Sequence, residues 1–249
     1  MSIRKKILAI SIGPVLVLGV ITLLFILTMV KSSLMDEVQD ALKGTAAATL
    51  AAYDQNTGDY LESTNGDIWK GSYNISKSES LVDRIKENTG MDVTFFYGNK
   101  RIMTSALDKK GNRILGSEAG ERVVNQVIKG KKPFFSTNVS LDGTRNYGYF
   151  IPVYQNGTTD QVIGMVFVGT NKARKDAIVN KILGSIMMAL LVVMLLCIVT
   201  AMRMAASISK NIKNSVAVVG KLADGDLNVW VDEKLLKRKD EIGDLSRGT

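Results

Sequence analysis

Two long stretches of this chain carry no charge at all, and they decide most of what it can fold into. Ile7–Val30 runs for 24 residues and Ile182–Met202 for 21 without an Asp, Glu, Lys or Arg. A helix needs about 20 apolar residues to cross the hydrocarbon core of a bilayer, so each stretch is long enough to span. Arg4, Lys5 and Lys6 precede the first and Lys31 follows it; Lys181 precedes the second and Arg203 follows. A cleaved signal peptide is the alternative for the first stretch, but its apolar region runs to only about 7–15 residues. This one is longer, no small-residue cleavage site precedes Lys31, and an uncleaved anchor is expected. Pro14 is compatible with a membrane helix, where a freed carbonyl finds another donor.

Orientation follows from the flanks. Arg4, Lys5 and Lys6 before the first span, with Arg203, Lys210 and Lys213 after the second, place both termini in the cytoplasm under the positive-inside rule. Lys172, Arg174, Lys175 and Lys181 oppose this, yet they belong to the long middle segment, and long segments translocate largely regardless of charge. The expected layout is a cytoplasmic N-terminus at 1–6, a first span at 7–30, an extracytoplasmic ligand-binding domain at 31–181, a second span at 182–202 and a cytoplasmic tail at 203–249. That makes a multi-pass protein of the cell (plasma) membrane.

The net charge of +8 does not point to nucleic acid, because the basic residues are scattered or beside the spans rather than gathered on one face. Between Lys31 and Lys181 there are 20 basic and 17 acidic residues, close to balance. The one cysteine, Cys197, lies inside the second span, so packing and not an intrachain disulfide must hold the middle domain. Histidine is absent, which removes the commonest general base and metal ligand. No metal-ligand spacing and no cofactor motif stand out.

Past Lys31 the sequence predicts a helix to about Tyr53, on which Leu34, Val38, Ala41, Thr45 and Ala48 recur at four- and three-residue steps. That face suits a dimer seam and packing on its own domain equally well. Residues 54–80, rich in Gly, Ser, Asn and Asp, read as a loop with short helical turns. Ser80–Asn88 reads as a short helix stopped by Gly90, and Ser117–Ile128 as another closed by Gly130. Five strands are expected: Val93–Tyr97, Arg101–Ser105, Phe134–Leu141, Arg145–Tyr154 and Gln161–Thr170. Gly98-Asn99-Lys100, Asp142-Gly143 and Asn156-Gly157 join them, and Asp-Gly or Asn-Gly supplies the positive backbone angles of tight hairpins. The sum is an α+β domain with a largely antiparallel sheet. Lys172–Lys181 then leads into the second span with no turn residue.

In the tail, Ile208, Ile212, Ser215, Val219 and Leu222 recur at heptad spacing. Asp224-Gly225-Asp226-Leu227 ends that helix, Leu227, Val229 and Val231 alternate as a connector, and Asp240-Glu241-Ile242-Gly243 opens a second helix. This pattern resembles a HAMP linker, here truncated in its second helix, and implies parallel packing in a homodimer through Ile208, Ile212, Val219 and Leu222. Many HAMP linkers carry a proline near the start of the first helix, where Asn211 stands here.

The middle segment is similar to a single Cache domain, the extracytoplasmic relative of the PAS fold. Carrying the resemblance are Thr89-Gly90-Met91-Asp92-Val93-Thr94-Phe95-Phe96-Tyr97-Gly98, Arg101-Ile102-Met103-Thr104-Ser105, Tyr147-Gly148-Tyr149-Phe150-Ile151-Pro152-Val153 and Val162-Ile163-Gly164-Met165-Val166-Phe167-Val168-Gly169. A single Cache domain followed by HAMP is the layout of methyl-accepting chemotaxis receptors, and of some sensor histidine kinases and cyclic-dinucleotide enzymes. The resemblance implies a chemoreceptor with no enzymatic step of its own, working through an output module missing from these residues and its coupling kinase complex. Input to a histidine kinase or diguanylate cyclase, and a stand-alone membrane-anchored binding protein, are the other readings.

The resemblance also implies a small-molecule pocket on one face of the sheet, roofed by the loops before the first strand. Trp69, Lys70 and Tyr73 are the expected roof, with Arg101, Thr104, Tyr147 and Tyr149 on the strands. Tyr147 and Tyr149 lie two apart and share a face; Arg101 and Thr104 lie three apart and share one only across a bulge. Cross-strand packing is the alternative for the tyrosines, and a solvated position beside the turn for Arg101. The expected ligand is a small organic acid or amino acid. Carboxylate-sensing relatives keep basic residues two and four before the proline of the fourth strand, where this chain has Phe150 and Gly148, which speaks against a di- or tricarboxylate.

Overall fold

The computed structural model describes residues 3–224 and, past them, 243, 244 and 247. In chain order the elements are α1 (Ile3–Phe25), a π-helical turn (Ile26–Val30), α2 (Lys31–Asp54) and three short strands, β1 (Tyr60–Glu62), β2 (Ile68–Lys70) and β3 (Tyr73–Asn74). Then come α3 (Glu79–Thr89), β4 (Asp92–Tyr97), β5 (Lys100–Thr104) and α4 (Glu121–Val123), which a π-helical turn Val124–Lys129 prolongs. The last elements are β6 (Phe134–Leu141), β7 (Thr144–Tyr154), β8 (Val162–Asn171) and α5 (Lys172–Ala223). Contacts divide the chain into two compact units, Met29–Ile182 and a second formed by Met1–Thr28 with Leu183–Thr249.

Met29–Ile182 is built on a five-stranded antiparallel sheet in the order β5-β4-β8-β7-β6. The expected hairpins are there. Asp142 (φ 44°) and Gly143 (φ 76°) turn β6 into β7, with Leu141 opposite Thr144; both turn residues take the positive φ that a two-residue hairpin demands. Gly90 ends α3 at φ 67°, the left-handed stop a residue without Cβ adopts at little cost. The Ser117–Ile128 helix is shorter than expected: 117–119 run alongside β5 instead, held by Arg101 N–H to the Ser117 carbonyl (2.9 Å) and Ala119 N–H to the Asn99 carbonyl (2.8 Å).

The sheet has apolar side chains on both faces, because it is covered on both. Val93, Phe95, Met103, Tyr149, Val166 and Val168 form one face and pack with Leu42, Ala46 and Tyr53 of α2. Tyr53 meets the Phe95 ring edge-on at 5.1 Å and Tyr60 stacks on it at 5.8 Å. The stripe of α2 that meets the domain is Leu42, Ala46, Thr49 and Tyr53, whereas Ala41 and Ala48 of the expected seam are exposed. Phe96, Phe150, Met165 and Phe167 form the other face, under the 105–133 segment that joins β5 to β6.

Residues 54–80 depart from the expected loop. They form a second sheet, ordered β1-β2-β3, then a 3-10 turn Ile75–Lys77. Tyr60, Ile68 and Ile75 are buried in the α2-side core, and that burial holds strands of two or three residues that have too little length for periodicity.

In the other unit both uncharged stretches are helical. Two helical runs, Lys5–Asp54 and Lys172–Lys221, contain segments long and apolar enough to cross a membrane. Their large apolar side chains, among them Ile10, Leu18, Phe25, Met188, Val193 and Leu196, are exposed. Gly19 is buried, and a Cβ there would meet Met194 Sδ at 2.6 Å, the close approach that small residues permit between membrane helices. The heptad positions Ile208, Ile212, Ser215, Val219 and Leu222 lie in α5; the Leu227–Val231 connector and most of the two Asp-containing blocks fall outside the described residues.

Candidate functional site

β5 is irregular at the place that matters for a site. Phe95 faces Met103 while Phe96 faces Arg101, so Ile102 is an extra residue on β5, a β-bulge. The bulge turns Arg101 and Thr104 onto one face, the one carrying Phe96. Thr104 Oγ1 lies 2.7 Å from Thr94 Oγ1 across the pair, and the Arg101 guanidinium sits 5.3 Å from the Phe96 ring centre.

On that face, between the sheet and its 105–133 cover, is a cavity of about 400 Å³. Its floor is aromatic: Phe96, Phe150 and Phe167, with the last two rings 4.8 Å apart. Phe134, Ser136, Asn138 and Val139 of β6 line one side, and Glu118, Gly120, Arg122 and Val123 belong to the cover. Arg122 lies 5.4 Å from the Phe134 ring centre. Gly148, opposite Gly169, leaves room for the Phe167 ring: a Cβ on Gly148 would stand 2.5 Å from Phe167 Cε2 and one on Gly169 2.4 Å from Cζ.

Among the polar groups lining this space is Arg101, buried and not solvated beside its turn. It is 8% exposed, its Nη1 donates to the Ile114 carbonyl at 3.3 Å, and its Nε is buried with no partner. Burial holds its pKa below the ordinary guanidinium value, desolvation outweighing the field of Asp92. Arg113 fixes the cover to the rest of the domain. It donates to both Asp83 oxygens (2.9 and 2.5 Å) and to the Thr104 carbonyl (2.7 Å), and the pairing holds the Asp83 carboxyl below its usual range.

The other expected site residues lie elsewhere. Tyr147 and Tyr149 share a face, as their spacing requires, but it is the α2 face. Tyr147 stacks on Phe135 at 6.3 Å and donates to Asp176 Oδ1 of α5 at 2.5 Å; burial, then this bond, push its pKa up to about 12. A second cavity of about 390 Å³ adjoins it, lined by Lys31, Met35, Thr137, Lys172 and Asp176. Trp69, Lys70 and Tyr73 belong to the small sheet on the α2 side. Lys70 is buried, paired with Asp54 at 2.5 Å and set 4.2 Å over the Tyr60 ring, and Tyr73 packs 6.2 Å from Tyr53. The seven expected residues are thus divided between two faces of the main sheet, with Arg101 on the cavity. Phe96, Phe150 and Phe167 are not among the expected site residues; each sits one residue out of step with the strand positions that face α2, a signal that places them only once that face is known.

Residues 73–182 match the family model described as single cache domain 3. That match takes in all five strands of the main sheet, and the segment is a PAS-like single Cache domain. Similar solved structures include an extracellular ligand binding receptor from Desulfohalobium retbaense, 15% identical with a TM-score of 0.41, the alignment covering 59% of this chain and 25% of that one. A Methyl-accepting Chemotaxis protein X is 16% identical with a TM-score of 0.37, covering 63% of this chain and 65% of that one. The chain therefore spans less than two thirds of either. No curated protein sequence matches it.

Proposed function

We propose that this chain is the sensing part of a transmembrane chemoreceptor. A small molecule enters the cavity between the aromatic face of the sheet and its cover, and the resulting shift passes through β7 and β8 into α5. The observation that carries this reading is the roofed cavity with a buried arginine in its lining, inside a Cache domain whose two ends run into helices apolar enough to span. Asn171 closes β8 and Lys172 opens α5 with no intervening residue, and the Tyr147–Asp176 bond ties β7 to the first turns of that helix. A ligand needs only different affinities for two arrangements of these elements to act as a signal. In this reading both termini are cytoplasmic, the domain is extracytoplasmic, and a homodimer packed through Ile208, Ile212, Val219 and Leu222 relays the shift through a HAMP linker to a kinase-coupled output.

The reading is tested by thermal-shift screening of the full chain in nanodiscs against small acids, amines and amino acids. Any compound that stabilises the wild type should lose its effect in Ser136→Trp, whose indole fills the cavity from β6, while the ligand-free Tm stays close to wild type. A compound that stabilises both proteins equally binds elsewhere and counts against the cavity.

A further inference from the structure

We infer that the cavity takes a monocarboxylate with an apolar body, its carboxylate received by Arg101 and its body laid on Phe96, Phe150 and Phe167. This rests on the reading that the cavity is the sensor site, and it names the class of ligand that site takes.

Charge is the first argument. A guanidinium stays ionised at any physiological pH, so burying one is costly unless an anion and hydrogen-bond acceptors surround it. Arg101 has one carbonyl acceptor, a buried Nε with none, and no ion pair with a carboxylate among the described residues; the field of Asp92 reaches it but is outweighed by desolvation. The Phe96 ring offsets part of the cost by a cation–π contact but leaves the Nε proton unused. A carboxylate brought by a ligand supplies both the countercharge and the acceptor.

The lining sets how many such charges the ligand carries. Two arginines and one glutamate line the cavity, so the lining has one positive charge in excess. Arg122 lies over Phe134, and Glu118, the one acidic residue of the lining, repels a second carboxylate. A monoanion matches that balance.

The floor sets the rest. Three phenylalanine rings present no donor or acceptor, and Gly148 and Gly169 contribute no side chain beyond them. At about 400 Å³ the space sits toward the small end of ligand pockets, which run roughly 300–1,000 Å³. A polar chain laid on the rings loses its hydration there, and finds replacement partners only along β6, where Ser136, Asn138 and Ser140 stand; a ring or branched hydrocarbon needs none.

The test uses the full chain in nanodiscs and three probes: phenylacetate, its neutral isostere phenylacetamide, and succinate. Phenylacetate should bind at least about tenfold tighter than either of the others by calorimetry, the loss expected when a charge-assisted pair is removed. Arg101→Met should abolish the preference for phenylacetate over its amide, while ligand-free Tm holds or rises because an uncompensated buried charge has gone. Equal binding of acid and amide to the wild type, or a preference that survives in Arg101→Met, overturns the carboxylate assignment. Tighter succinate binding overturns the apolar body. If instead a compound of another class binds in a way that Ser136→Trp abolishes, this inference falls and the sensor reading stands. If no compound of any class binds in the cavity, the sensor reading falls and takes the inference with it.

Discussion

Arg113 shows how one side chain can hold a cover in place. Its fork reaches both oxygens of Asp83 on α3 and the Thr104 carbonyl at the end of β5, joining three segments. The Asp83 carboxylate is partly exposed, so the pair itself is worth no more than about 1 kcal/mol. Its effect should be local. In Asp83→Asn the amides of Ile114 and Gly116, which bond to the Ala106 and Arg101 carbonyls, should exchange with solvent about fivefold faster at neutral pH. The sign of the pH dependence follows from the lowered Asp83 pKa. The stabilisation is present above the unfolded carboxyl value, about 3.9, and is lost as pH falls through the lower folded value. Wild type and Asp83→Asn should therefore converge in strong acid, as read by hydrogen exchange, and a difference that persists there would show that the carboxylate is not the cause.

Among the elements, the strands show what periodicity can and cannot reveal. All five main strands were legible to within a residue or two, because each is long, β-branched or aromatic, and bounded by Gly, Asn or Asp. What was not legible was face. The bulge at Ile102 depends on a register that Met103 and Arg101 take up against Phe95 and Phe96, and no local signal in Arg101–Ser105 announces it. Tyr147 and Tyr149 were paired correctly but could not be assigned to a side, since β7 has cover on both. The strands of residues 54–80 were missed for another reason: their stability comes from burial under α2, a contact that local sequence does not carry. Gly164 is a position where the element leaves no freedom at all. A Cβ there would stand 2.0 Å from the Phe96 carbonyl oxygen, which is backbone and cannot swing aside. Gly164→Ala must push β8 away from β4, at a cost of about 2–3 kcal/mol and several degrees of apparent Tm in the full chain. Gly44 in α2 has nothing within 4 Å of the same atom, and Gly44→Ala should raise Tm slightly through better helix propensity. Equal effects from the two would mean that β4 and β8 do not pair as closely as described.

At the scale of the molecule, the sensor reading needs the domain and the tail of α5 on opposite sides of a bilayer, and the chain supplies its own tools for asking. Cys197 is the one native cysteine, so a Cys197→Ser background is silent to thiol reagents. Asn156 is exposed in the β7–β8 connection, and Ile212 and Val219 lie seven residues apart in α5, on one stripe of a helix that winds at 3.5 residues per turn. Ala217 falls on the opposite side of that stripe. In intact cells Asn156→Cys should react with a membrane-impermeant maleimide, and Ile212→Cys only after lysis. In membranes treated with a mild oxidant, Ile212→Cys and Val219→Cys should each form disulfide-linked dimers, while Ala217→Cys should not. The two results address different links. If Asn156→Cys and Ile212→Cys label together in intact cells, the two apolar stretches do not separate compartments, and no movement within the domain can count as a transmembrane signal. If topology holds but crosslinking is as strong at Ala217 as at Ile212, the helices meet without a fixed seam. A shift of α5 would then have no packed partner to act on, and HAMP-type relay would have to give way to another route through the membrane.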